Sequence, residues 1–220
     1  RIKISFNRIP MCGRYQLTTS FSLLPQLLKI ETPYKFKEHY QKRNEIRPNQ
    51  PILVLKNEGK LKTTLMLWGL ITPFCKSPDT KLKPINARFE TIETKKIFRS
   101  SWKYKRCLIP ASAYIEKKHL IKKESKDTFW LGGIWSTWTS LDGSEIESCC
   151  IITTEANEVI RSLHNRMPVI IPNGGEEEWL EPNKNNQSLK ELKTTYSKSN
   201  TTEWIKERIS NAKNHQLNLF

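Results

Sequence analysis

A chain of 220 residues carrying seven Trp, eight Phe and six Tyr is long enough to bury a core of its own. No stretch approaches the ~18 consecutive apolar residues that a membrane-crossing helix needs. Lys and Arg number 37 against 22 acidic residues, a net charge of +15, which argues against a cationic partner and for a polyanion such as nucleic acid.

Arg1 to Pro10 is short and mixed, without the apolar run of a signal peptide. It reads as an upstream extension or an expression remnant, and residues 11–220 read as one domain. Met11-Cys12-Gly13-Arg14 follows. A cysteine directly after a methionine becomes the first residue once the methionine is removed. It then carries two nucleophiles on adjacent carbons, an amine with an ordinary pKa of about 7.7–8.0 and a thiol of about 8.5. Such an aminothiol condenses with an aldehyde to an imine and closes to a thiazolidine. The alternative is that Cys12 is a small buried core residue.

Ser20 to Ile30 has helical spacing at Leu23, Leu24, Leu27 and Leu28, and Pro33 to Pro48 is expected to be a polar loop. Pro51 to Leu55 and Lys62 to Ile71 read as a hairpin turning at Asn57-Glu58-Gly59. Trp68-Gly69-Leu70-Ile71-Thr72-Pro73-Phe74 then forms a rigid, aromatic loop. Its rings serve either as core or as stacking platforms for unpaired bases. In Asn86-Ala87-Arg88-Phe89-Glu90, an extended chain sets Asn86, Arg88 and Glu90 on one face, as a ligand surface or a solvated one.

Thr91 to Arg99 suits a short helix. Arg106–Pro110, Ala113–Lys117, Phe129–Trp138 and Glu147–Thr154 are strand candidates. Glu116 closes an apolar run, a setting suited to general acid–base work; otherwise it is a surface residue at a strand end. Between Lys81 and Lys123 thirteen basic residues face three acidic ones. Glu155 to Leu163 reads as a helix and Pro168 to Pro172 as a strand. His164-Asn165-Arg166 occupies the corner between them, a position where catalytic groups are often held. Glu176–Leu180, Ser188–Leu192 and Thr201–Ile209 read as helices. Five cysteines without a CxxC spacing indicate a reducing compartment, with neither a disulfide framework nor a zinc site. The fold class is α+β, a curved, barrel-like and mainly antiparallel sheet flanked by short helices.

Taken in order, Met-Cys-Gly-Arg, Trp-Gly-Leu-Ile, Asn-Ala-Arg-x-Glu-Thr, Arg-Cys-Leu-Ile-Pro-Ala, Gly-x-Trp (Gly133 to Trp135), Ile-Thr-Thr and His-x-Arg-Met-Pro-Val-Ile closely resemble the SRAP domain of the SOS response-associated peptidases. The match runs from Met11 to about Leu180. The resemblance implies covalent capture of abasic sites in single-stranded DNA as a thiazolidine crosslink. Cys12 would be the nucleophile, Asn86 would orient it or the sugar, and Glu116 would act as acid and base. His164 would assist proton transfer and reversal. Arg88 and Arg166 would hold phosphates, while Arg14, Trp68 and Phe74 would line the DNA path. It further implies no cofactor or metal, a monomer without membrane contact, a cytoplasmic location on the nucleoid when bound to DNA, and a self-processing peptidase activity that frees the cysteine. Two other readings stand beside it. One is a cysteine hydrolase using Cys12, Glu116 and His164; the other is a module that binds single strands without chemistry.

The sequence departs from the family pattern in places. Ten residues precede Met11; Ser112-Ala113-Tyr114 stands where an acidic-Gly-aromatic stretch is usual; and Lys117 replaces the Trp that commonly follows the glutamate.

Overall fold

The computed structural model describes residues 12–24, 28, 40–197 and 204–209. Five strands close into a barrel: β3 (Pro51–Asn57), β4 (Leu61–Trp68), β6 (Arg106–Ala111), β9 (Phe129–Thr139) and β10 (Glu145–Glu155). The ring runs β3-β4-β10-β9-β6 and returns to β3, antiparallel everywhere except the β4–β10 pair. Closure removes exposed edges, and near-continuous apolar runs such as Ile52 to Leu55 are buried on both faces. Short strands extend the barrel. β5 (Asn86–Arg88) lies parallel to β10, β11 (Arg166–Pro168) runs antiparallel to β10, and β12 (Ile170–Ile171) runs antiparallel to β9.

A second sheet has the order β13-β8-β7-β1-β2. It comprises β1 (Tyr15–Leu17), β2 (Arg43–Ile46), β7 (Ala113–Glu116), β8 (His119–Lys123) and β13 (Trp204–Arg208). A single residue, Ser112, carries the chain from β6 in the barrel to β7 in this sheet. It is stapled to the end of β1: its N–H donates to the Gln16 carbonyl at 2.8 Å, and its hydroxyl accepts from the Thr18 N–H at 2.8 Å. The expected α+β, barrel-like architecture is therefore the one found.

Among the described residues four short helices cover the barrel: α1 (Arg99–Tyr104), α2 (Glu158–Arg161), α3 (Glu176–Leu180) and α4 (Asn186–Ser197). An aromatic cluster seats them. Phe89 meets Trp102 edge-on at 5.2 Å, Trp102 lies 5.8 Å from Trp179, and Trp179 meets Tyr196 edge-on at 5.6 Å. Arg106 ties two helix ends together. Its guanidinium donates to the carbonyls of Trp102, Lys103, Trp179 and Glu181, and burial lowers its pKa to about 10. These are carbonyls that a helix end leaves without intrahelical partners.

Several local expectations give way to tertiary pairing. Within the helix expected over Thr201–Ile209, Trp204–Arg208 is instead a strand, β13, because Trp204 packs edge-on against Phe129 at 4.9 Å and the backbone pairs with β8; residues 201–203 lie outside the described residues. Arg43–Ile46 is a strand rather than loop, paired with β1. The helix expected over 91–99 lies later, at α1, preceded by a 3-10 turn at Phe89–Thr91. The return strand ends at Trp68, where Gly69 takes φ +141. The helix expected at Ser20–Ile30 is described only in part, as a 3-10 turn at Phe21–Leu23 with Leu24 and Leu28 fully buried; its remainder and residues 33–39 lie outside the described residues.

Gly132 sets the spacing between β9 and α3. A Cβ there would stand 2.8 Å from the Trp179 ring and 3.3 Å from Val169. Gly132→Ala is expected to cost about 1–3 kcal/mol, the usual penalty for overpacking a rigid core, read as a lowered midpoint in denaturant unfolding with an unchanged slope.

Candidate active site

The site is built where β1 meets β7. Tyr15 pairs with Tyr114 and Gln16 with Ala113, and the Ile115 N–H donates to the Arg14 carbonyl at 2.9 Å. Continuing this antiparallel register carries the chain before β1 past the end of β7, which is Glu116. Cys12 arrives there in a left-handed conformation, φ +47, which costs a residue with a Cβ roughly 1–2 kcal/mol. Its backbone nitrogen donates to Glu116 Oε2 at 3.2 Å. Both residues are buried, Cys12 at 3 % and Glu116 at 6 % exposure.

Glu116 is held by a tight hairpin. Lys117 and Lys118 both take positive φ, +44 and +63, the signature of a type I′ turn, which brings His119 opposite Glu116. His119 Nδ1 lies 3.0 Å from the Lys117 carbonyl.

Burial pushes the Cys12 thiol well above its ordinary pKa; the Glu116 carboxylate adds to the rise and Arg166 partly offsets it. The thiol is therefore neutral. Tyr114 shares the β7 face with Glu116 at period two. Its phenol is also pushed up, first by burial, then by Cys12 and Glu116. Its hydroxyl is buried and has no hydrogen-bond partner among the described residues. A buried polar group left in this way is costly unless something comes to meet it. Sequence reasoning did not single out Tyr114; its only signal was its place two residues before Glu116.

A second group of site residues comes together on the barrel. Arg166, 8 % exposed, grips Glu90 with two parallel hydrogen bonds of 2.5 and 2.8 Å and donates to the Thr153 carbonyl at 2.6 Å. Burial works to raise the Glu90 carboxyl, but the hydrogen bond and charge of Arg166 win and hold it below its ordinary pKa. His164 Nδ1 accepts the Arg166 backbone N–H at 3.0 Å, so a neutral ring carries its proton on Nε2. Asn86 is half-buried at the start of β5, and Arg88, two residues on, is exposed. Arg14 is partly exposed and paired with Glu45 at 3.2 Å.

The aromatic loop splits. Trp68 is fully buried, packs edge-on against Tyr15 at 5.4 Å and donates its indole N–H to the Ile85 carbonyl at 3.0 Å, so it presents no ring face to a strand. Phe74 is 84 % exposed. Among the described residues no group of three His, Cys, Asp or Glu side chains stands close enough to hold a metal, and no helix is long and apolar enough to cross a membrane.

Comparison with known proteins places this geometry. Residues 11–212 match the family model described as SOS response associated peptidase, SRAP. The chain is 38 % identical over 182 residues to abasic site processing protein YoaM of Bacillus subtilis, covering 78 % of this chain and 80 % of that one. It is 23 % identical over 225 residues to abasic site processing protein YedK of Escherichia coli, covering 96 % and 99 %. A crystal structure of a Bacteroides thetaiotaomicron protein superposes with a TM-score of 0.78 at 21 % identity, covering 91 % of this chain and 93 % of that one. One from Bordetella bronchiseptica gives 0.73 at 17 %, covering 90 % and 100 %. With its family model spanning nearly the whole length and a relative more than a third identical over four-fifths of its own, this chain belongs to the SRAP family.

Proposed function

We propose that this protein captures abasic sites in single-stranded DNA through Cys12, as a covalent crosslink that shields the lesion. The observation that carries the reading is the contact between the Cys12 nitrogen and the Glu116 carboxylate inside a buried site. The abasic-site names of the relatives support it.

The chemistry requires that Met11 be gone, because an amide nitrogen does not condense with an aldehyde. The freed amine attacks the open-ring aldehyde of the abasic sugar to give a carbinolamine. Loss of water, with a proton supplied to the departing oxygen by Glu116, gives an imine. The thiol sulfur then adds to the imine carbon while its proton passes to the nitrogen, closing the thiazolidine. One aldehyde and one aminothiol yield one ring and one water. Arg88, exposed beside Asn86, is the cation placed to meet a phosphate. His164, with its proton on Nε2, serves as the second proton carrier, in closing and reopening the ring. Arg166, bound to Glu90, supports the site rather than gripping phosphate directly.

On an abasic oligonucleotide the protein is expected to give a slower band that survives boiling in detergent. Cys12→Ala should abolish that band, and Glu116→Gln should slow its appearance about 10²-fold or more. A band of full intensity in Cys12→Ala would defeat the reading.

A second activity, self-cleavage before Cys12, is favoured by the same contact together with the left-handed backbone at Cys12. The Cys12 thiol would pass its proton to Glu116 as its sulfur attacks the Met11 carbonyl. Glu116 would hand that proton to the nitrogen as the C–N bond breaks, and water would hydrolyse the resulting thioester, releasing residues 1–11 with a carboxyl end and restoring the thiol. Intact-mass measurement should then find the chain beginning at Cys12, and Glu116→Gln should retain the leading segment. Loss of the segment regardless of that change would assign its removal to other proteases.

Tyr114 is expected to show a trade between stability and activity. Tyr114→Phe removes a buried hydroxyl that lacks a partner, so it should raise stability by about 1 kcal/mol while slowing capture. A stabilised variant that captures at the parent rate would make the hydroxyl dispensable.

A further inference from the structure

Glu116 does not stand alone at the end of β7. His119 pairs with it across the β7–β8 ladder, and Arg208 pairs with His119 across the β8–β13 ladder. Residues directly opposite each other set their side chains on one face of the sheet, with Cβ atoms about 4.5–5.5 Å apart. The three therefore form one row, and it runs outward: Glu116 is buried, His119 half-buried and Arg208 exposed. The turn that creates the row is strained. Lys117 and Lys118 hold φ +44 and +63 without a glycine or asparagine, where this chain carries Lys117 in place of the Trp that commonly follows the glutamate. The Ile209 N–H fastens the end of β13 to the same turn by donating to the Lys118 carbonyl at 2.8 Å. Backbone strain that the surrounding structure maintains points to a use for the geometry it holds.

The His119 ring is set to accept a proton. Its Nδ1 lies 3.0 Å from the Lys117 carbonyl. A carbonyl only accepts, so Nδ1 carries the proton of the neutral ring and Nε2 carries the lone pair. Protonation at Nε2 keeps this hydrogen bond intact. His164 is the reverse case. Its Nδ1 accepts the Arg166 N–H, so the ring can lend its Nε2 proton but cannot hold a second one without giving up that bond. Of the two histidines, His119 is the one able to take a proton out of the site.

Capture leaves one proton to dispose of. Near neutral pH an amine of ordinary pKa, about 7.7–8.0, is mostly ammonium. One ammonium, one thiol and one aldehyde give one thiazolidine, one water and one proton. Glu116 takes a proton from the ammonium, gives one to the departing oxygen, and takes one from the nitrogen as the imine forms. The thiol proton then stays on the ring nitrogen. Glu116 ends protonated beside the closed ring, where it is the acid that would reopen it. We propose that His119 carries this proton from Glu116 to solvent through Nε2, and returns it when the crosslink reopens. Opposite ladder positions leave a carboxyl and an imidazole within one bridging water of each other. The charged groups facing His119 are Glu116 from β7 and Arg208 from β13, with Lys117 and Lys118 in its own turn. Lys206, one step along β13 on the same face, is engaged with the Ser162 hydroxyl at 2.9 Å. This role rests on the abasic-capture reading and adds to it the route by which a buried acid exchanges its proton.

The test follows the whole protein and its His119→Ala variant on an abasic oligonucleotide at about pH 6.8 and about pH 9, roughly one unit to either side of the amine's ordinary pKa. Band formation gives the rate of capture. Loss of a labelled band under excess unlabelled abasic oligonucleotide gives the rate of reversal. At the lower pH the variant should be slower about tenfold or more, by the same factor in both directions, because a proton carrier changes rates and not the balance between them. Added imidazole should restore both rates. At the higher pH the amine arrives without its extra proton, so the variant should match the parent, which also shows that it is folded. Parent-like rates in the variant at the lower pH would overturn the proposal. Equal slowing at both pH values without rescue, or slowing in one direction alone, would overturn it too, since either assigns His119 a structural part. A parent that forms no band at either pH would defeat the capture reading and this role with it.

Discussion

The antiparallel register between β1 and β7 is the constraint on which the site depends. Two ladder positions, Tyr15 on Tyr114 and Gln16 on Ala113, fix where the chain before β1 must run. Continued, they bring Gly13 across from Glu116 and Cys12 one step beyond, where its nitrogen donates to the Glu116 carboxylate. A slip of one position would turn Glu116 and Tyr114 to the opposite face of β7. The register is held from both ends. Ser112, the single residue between barrel and second sheet, is bonded to the far end of β1 through both its N–H and its hydroxyl. At the near end the two-residue turn at Lys117 and Lys118 stops β7 immediately after Glu116. That two lysines accept positive φ there, with no glycine or asparagine to relieve it, indicates how strongly the pairing of β7 with β8 outweighs local preference.

The Arg166–Glu90 pair does for the barrel side what this register does for the other. Arg166 is buried while Glu90 is exposed, so the pair adds little net stability, but removing Glu90 would leave the buried guanidinium without its partner. Its value is positional. Glu90 sits two residues after Arg88 and four after Asn86, so the pair pins β5 and the turn that follows against β10 and β11. It also places a fixed positive charge near Cys12, felt as the one influence that lowers the thiol's pKa. An arginine held in this way is poorly free to follow a phosphate, whereas Arg88, exposed on the same short stretch, is free to do so.

Much of this was legible in the sequence, unevenly and for physical reasons. Apolar runs bounded by turn residues announced β3, β6, β9 and β10, because strands buried on both faces must be nearly continuous in apolar side chains. The Met-Cys step and the glutamate ending an apolar strand announced the two central residues, though not their contact, which arises from pairing over a separation of about a hundred residues. β8 and β13 were illegible. His119–Lys123 and Trp204–Arg208 are charged strands, the first half-buried and the second exposed, in which one large apolar residue each, Ile121 and Trp204, meets the core, and hydrogen bonding to a neighbour decides their form. Trp68 and Phe74 looked equivalent in sequence, but Gly69 turns the chain between them and sends one ring into the core and the other into solvent. Tyr114 was invisible for a different reason: an unpartnered hydroxyl is a property of its surroundings alone.

A nucleophile that is buried and held as a neutral thiol looks ill suited to catalysis, since the thiolate is the stronger nucleophile. For the chemistry proposed here the order of steps resolves the difficulty. The amine reacts first, and it is the nitrogen which becomes that amine that lies against Glu116. A thiolate standing ready before the aldehyde arrived would be open to oxidation and to stray electrophiles. Burial and the adjacent carboxylate suppress it, and they do so through the same group that later handles protons at the carbonyl. Once the imine forms, the sulfur's target is an activated carbon bonded directly to the nitrogen of its own residue. Such proximity substitutes for intrinsic reactivity by orders of magnitude. The sulfur needs no thiolate-stabilising environment because its partner is delivered to it already activated. The features that would disqualify Cys12 as the nucleophile of a general hydrolase therefore suit it to a single, covalent capture.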